Sequence, residues 1–128
     1  MDVWCLNERE LRQGKPEVLI STDDARAIVI DLKPGESLDD HVVHESAWLV
    51  VVAGEVRVTS LDGEESHSGG IGMFIRFQPG ERHRVDAVRG ARFLLLLTPW
   101  PGPGHPGALS LEEKAQVRAR AAERARPD

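Results

Sequence analysis

Between Glu17 and Thr98 apolar residues come in short runs, broken every eight to twelve residues or so by turn-forming pairs. The runs Val18–Ile20, Ala27–Leu32, Ala47–Ala53, Glu55–Leu61, Met73–Phe77, Arg84–Val88 and Arg92–Thr98 predict strands. Pro34-Gly35, Gly54-Glu55, Asp62-Gly63, Gly69-Gly70, Pro79-Gly80 and Arg89-Gly90 punctuate them as turns. Ile28, Ile30 and Leu32 alternate with Val29 and Asp31, and Val56 and Val58 with Arg57 and Thr59, so these strands have one core face and one wetter face. Trp48–Val52 and Phe93–Leu97 are apolar at every position and call for burial on both faces, by the N-terminal arm or a second subunit. Many short strands without helical crossovers predict an all-β antiparallel barrel or sandwich rather than a parallel sheet flanked by helices.

The rhythm stops at Thr98. Residues 101–109 are too rich in proline and glycine for a regular element and read as a strap, with the preceding Trp100 as its anchor. Ser110-Leu-Glu-Glu113 has the form of a capping box and predicts a C-terminal helix over 110–128, loosely docked because Leu111 and Val117 are its only larger apolar residues. The expected organisation is therefore an arm with strands over 1–25, a barrel core over 26–100, the strap and the helix.

Composition narrows the chemistry. The chain has 128 residues, 41% of them hydrophobic and 29% charged, enough for one packed domain and no more. A net charge of −5 argues against nucleic acid, and Arg118, Arg120, Arg124 and Arg126 are nearly balanced by nearby acids. No apolar run reaches the ~20 residues of a membrane helix, and the N-terminus lacks the form of a secretory signal, so a cytoplasmic protein without a membrane partner is expected. Cys5, without a second cysteine, is expected to be a buried small hydrophobe. There is no tyrosine, so no mechanism here uses a phenol as its acid.

The candidate chemistry lies in two segments, Asp39-Asp-His-Val-Val-His-Glu45 and Gln78-Pro-Gly-Glu-Arg-His-Arg84. Their spacing resembles the two motifs of the cupin superfamily of small β-barrels. The first, G-x5-H-x-H-x3-4-E-x6-G, lays onto Gly35, His41 and Gly54; the second, G-x5-P-x-G-x2-H-x3-N, lays onto Gly72, Gly80 and His83. The resemblance covers roughly Arg26 to Trp100 and implies a cupin-like double-stranded β-helix, or jelly roll. In that family three histidines and a glutamate hold a divalent transition metal such as Fe, Mn, Ni, Cu or Zn. Here Val43 stands at the second histidine, Ala47 at the glutamate, Gln78 at the proline and Ala87 at the asparagine.

Only His41 and His83 carry over as metal ligands. Strand parity turns His44 to the opposite face from His41, and a bulge at Val42-Val43 would be needed to bring it in. By the same parity Val43, Ala47 and Leu49 accompany His41 inward, with Met73, Gln78 and Val85 near His83, giving a mostly apolar pocket. His67 and His105 are expected at the surface. Two functions stay open: a cupin-like barrel that binds a small molecule without a resident cofactor, or a metal-dependent oxygenase or isomerase using His41, His83 and His44. The metal-free sugar epimerisation known in such barrels needs a tyrosine acid, which this chain lacks, although Asp39 shares parity with His41 and could orient it for proton transfer. Resemblance to dimeric relatives and the doubly apolar strands imply a homodimer.

Overall fold

The computed structural model describes residues 1–11, 15–41 and 43–102, apart from the side chains of residues 39–41. The strap beyond Gly102, His105, the arginines of the expected helix and Val42 lie outside the described residues. Seven strands follow one another: β1 (Glu17–Ser21), β2 (Arg26–Leu32), β3 (Ser37–His41), β4 (Ser46–Ser60), β5 (Ser66–Gly69), β6 (Phe74–Phe77) and β7 (His83–Thr98). All pairings are antiparallel.

The scaffold is the long pair β4 and β7, which runs from Ser46 opposite Thr98 to Ser60 opposite His83. Where each was expected to be two strands parted by a turn, the structure has one continuous strand with an irregularity in the middle. The register shifts between Val51 and Ala53 and again between Gly54 and Val56. Gly54 and Gly90 both have positive φ there, 75° and 81°. A Cβ on Gly54 would stand 1.9 Å from the Gly90 carbonyl oxygen, so the two backbones meet closer than any side chain permits. Glycine-bearing bulges let a long ribbon bend without breaking its ladder.

The bend divides the pairing partners. The first half of β4 pairs with β6 and the second with β5. The second half of β7 pairs with β2, which carries β1 on its far side, while the first half pairs with β3. The halves face each other across one apolar core containing Leu49, Val51, Val56, Val58, Phe77, Val85, Phe93, Leu95 and Leu97. Along β4 and β7 buried positions alternate with more exposed ones, the period that places every second side chain inside. This is the jelly-roll architecture that the resemblance implied.

β3 and β5 do not show in the hydrophobic pattern, because Ser-Leu-Asp-Asp-His and Ser-His-Ser-Gly offer a single aliphatic residue between them. Both are recruited by ladder hydrogen bonds to a long neighbour rather than by apolar burial. The N-terminal arm is tied to the sheet through Arg92. Arg92, on the outer face of β7, grips Asp31 through two hydrogen bonds of 2.6 and 2.9 Å and donates to the Leu6 and Arg9 carbonyls at 2.6 and 2.7 Å. This ion pair and its hydrogen bonds hold the guanidinium above its already high pKa, with the Asp31 hydrogen bonds the main cause. Cys5 corrects its expectation: it is exposed, because the arm lies on the surface and its first five residues point to solvent.

Candidate functional site

β4, β5, β6 and the start of β7 enclose a cavity of about 380 Å³. Val58, Met73, Phe74, Ile75 and Phe77 form its apolar walls, and Ser60, Glu65, His67, Ser68, Arg76, Glu81 and His83 supply the polar lining. Its best-fixed polar group is His83. The imidazole is 3% exposed and lies flat against Phe77, with ring centroids 3.6 Å apart and planes 5° from parallel. Its Nδ1 is 3.3 Å from the Glu81 carbonyl oxygen. A carbonyl only accepts, so Nδ1 carries the proton in this contact.

His67 reaches the cavity by register. It pairs with Val58, whose side chain is buried, and directly paired residues share a face of the sheet. Its imidazole is 61% exposed, as a surface histidine should be, yet it lines the cavity, with Nε2 3.0 Å from Glu65 Oε1. Sequence reasoning missed this because β5 has no apolar run to reveal it as a strand. The turn after β4 is organised by Ser60, whose hydroxyl donates to Asp62 at 2.5 Å and accepts the Glu65 N–H at 3.1 Å. The Ser60 hydrogen bond, reinforced by the Glu64 N–H, keeps the Asp62 carboxyl below its usual pKa and therefore charged.

Of the residues expected in the pocket, Met73 and His83 line this cavity. Ala47, Leu49 and Val85 are instead fully buried in the core, and Val43 packs against it. Gln78 is exposed on the turn before β7, its N–H held by Glu81 Oε1 at 3.0 Å. His41 is the register partner of His83 across β3 and β7. The register shifts between Leu38 and His41, so one extra residue in β3 brings His41, not Asp40, opposite His83. The bulge thus falls before His41; the expected one, at Val42-Val43, involves a residue outside the described set. The side chains of His41 and Asp39 also lie outside it.

The segment after His41 serves to hold loops. The Val43 carbonyl accepts the Gly80 N–H at 2.8 Å, fixing the turn that precedes His83. Glu45 is 1% exposed and its carboxylate accepts the Gly102 N–H at 2.7 Å. Trp100 packs against the core and carries the Arg26 guanidinium 4.0 Å above its ring. The Glu45 carboxylate is thereby committed to the strap. Among the described residues no three histidine, cysteine, aspartate or glutamate side chains are grouped to hold a metal ion. With Val43 and Ala47 in place of two ligands and Glu45 so engaged, the described donors do not fit the family's metal.

Among the described residues no helix is long and apolar enough to cross a membrane. No curated protein matches the chain. Solved structures do. An RmlC-like cupin protein from Desulfovibrio desulfuricans superposes with a TM-score of 0.69 at 21% identity, covering 77% of this chain and 97% of that one. A conserved protein with a double-stranded β-helix domain from Klebsiella pneumoniae gives 0.67 at 21% identity, over 80% and 92%. The conserved protein SPY1581 from Streptococcus pyogenes gives 0.63 at 22%, over 76% and 86%. At these identities the likeness is one of fold. The profile of the Cupin domain matches residues 28–98, from β2 to the end of β7, and the chain belongs to that family.

Proposed function

We propose that this cupin barrel binds a small organic molecule in the cavity beside the His83–Phe77 stack, without a resident metal. The observation that carries the reading is the cavity itself: about 380 Å³ with apolar walls and a few placed polar groups, the character of a small-ligand site. The buried imidazole supports it, because a polar ring held by stacking and a backbone contact is pre-organised to orient a ligand. The metal-dependent reading rests on the register pairing of His41 with His83 alone.

The test is a ligand-observed NMR screen of small aromatic and aliphatic compounds against the full chain and against Ile75→Phe and Met73→Trp, which fill the cavity. Compounds that bind the parent and are lost from both filled variants, with folding intact by circular dichroism, support the reading. Binding that survives filling overturns it, as does a screen without binders.

A further inference from the structure

The sheet has two outward surfaces, and they differ in kind. Outside the half that carries β5, directly paired residues form the row Ser37, Asp86, Arg57, Ser68 and the row Arg84, Thr59, Ser66, polar throughout. Outside the half that carries β6, one row is Ile20, Ala27, Leu96, Trp48 and Arg76. The next is Glu17, Val29, Leu94, Val50 and Phe74. All of these positions but Glu17 and Arg76 are apolar, and among the apolar ones Val29 alone is fully buried within the chain. Trp48 and Phe74 stack on each other there, and Phe74 is 63% exposed. Polar pairs border the band at its two ends along the strands, Ser46 with Thr98 and Asp31 with Arg92.

We propose that this face packs against the same face of a second copy, giving a two-fold homodimer with the apolar band at its centre. Five strands about 4.8 Å apart and rows about 6.8 Å apart make the band roughly 24 by 14 Å, or roughly 24 by 27 Å with its polar borders. That is about 650 Å², near the roughly 800 Å² that each partner buries in a standard interface, with the usual apolar centre and polar rim. An open apolar sheet is covered well by another sheet with its strands aligned, and a second copy supplies one.

Charge complementarity points to the same occupant and orients it. Arg76 stands at the β6 edge of the face and Glu17 at the β1 edge, one row apart. A two-fold axis lying in the interface along the strands lays the β1 edge of one copy over the β6 edge of the other. Each Glu17 then meets the partner's Arg76, and symmetry makes the contact twice. Glu17 also holds Arg9 of the arm, but a carboxylate has acceptor sites for two guanidiniums. The Arg76 guanidinium lies 5.5 Å from the Trp48 ring centroid, a contact through its flat face that leaves the N–H donors at its edge. The unbroken apolar runs Trp48–Val52 and Phe93–Leu97 thereby gain a use for both sets of side chains, one for the core and one for the partner.

Sedimentation velocity on the full chain is expected to show a dimer. Phe74→Arg should give a folded monomer, and the milder Phe74→Ala should weaken association in the same direction. Val88→Arg, at an apolar residue 51% exposed outside this face, should stay dimeric. Arg76→Glu should raise the dimer dissociation constant about tenfold, and the double variant Glu17→Arg, Arg76→Glu should bring it back to within about threefold. Circular dichroism checks that each variant is folded. A monomeric full chain overturns the proposal, and if Phe74→Arg then destabilises that monomer, the cover is the chain's own residues 103–128. A dimer that survives both Phe74 variants uses another surface and overturns it equally. Dissociation of Val88→Arg to the same extent counts against this face, and a charge swap that restores nothing overturns the two-fold arrangement.

Discussion

Glu45 and Gly102, 57 positions apart, are joined by a 2.7 Å hydrogen bond from the glycine N–H to a carboxylate that solvent barely reaches. A Cβ on Gly102 would come within 2.5 Å of the His44 carbonyl oxygen, so this contact has no room for a side chain. Glu45→Ala should cost about 2 kcal/mol, because it strands a buried donor as well as removing packed atoms. Glu45→Gln, which keeps an acceptor, should cost less. Urea denaturation of the two variants checks this, and equal losses would mean that the hydrogen bond is not what holds the strap.

Arg92 makes a forked contact to Asp31 and two contacts to arm carbonyls. Lysine can supply the charge but not the fork, so Arg92→Lys should destabilise the fold by about 1–2 kcal/mol and free the arm. The discriminating measurement is amide exchange over residues 1–11, expected to accelerate while exchange in β4 and β7 changes far less. Unchanged protection of the arm would refute the clamp.

Asp86 is held below its ordinary pKa, first by the Ser37 hydroxyl and then by Arg84, whose Nε lies 2.9 Å away. Folding therefore favours the deprotonated form, and the unfolded chain binds more protons near its own pKa of about 4. The stabilisation is complete above about pH 5 and is lost as pH falls through the lower, folded value. For a partly exposed pair it amounts to about 0.5 kcal/mol. Asp86→Asn should show that deficit at neutral pH and none once Asp86 is protonated in the fold. A deficit independent of pH would assign the effect to packing.

Protein purified without an affinity tag and dialysed against Zn, Ni, Mn and Fe salts is expected to hold metal well below one equivalent, because the described donors do not group for one. Elemental analysis decides it. A stoichiometric metal that disappears in both His41→Ala and His83→Ala would restore the metal-dependent reading, and His44→Ala would then show whether a third imidazole takes part.

Architecture was legible wherever strands are apolar on at least one face. It was misread at Gly54 and at Arg89-Gly90, because a glycine that ends a strand and a glycine that bends one look the same in one dimension; only the close approach of the two backbones separates them. The site was less legible. Parity counted along β4 correctly turned Ala47 and Leu49 inward, but inward in a filled barrel means core rather than cavity. His67 was passed over because its position is set by pairing with Val58, a partner that no local pattern reveals. The role of Glu45 was not legible, since nothing in its neighbourhood announces a glycine 57 positions on.

The meeting of Gly54 with Gly90 bears on how family membership itself should be read. Gly54 closes the first motif, and its role here is to let two long strands bend together, a matter of shape that involves no ligand. A signature anchored on such positions is inherited with the scaffold and survives the exchange of every chemical group inside it. For this chain the kinship therefore vouches for the vessel, and its contents must be learned from the residues that line it.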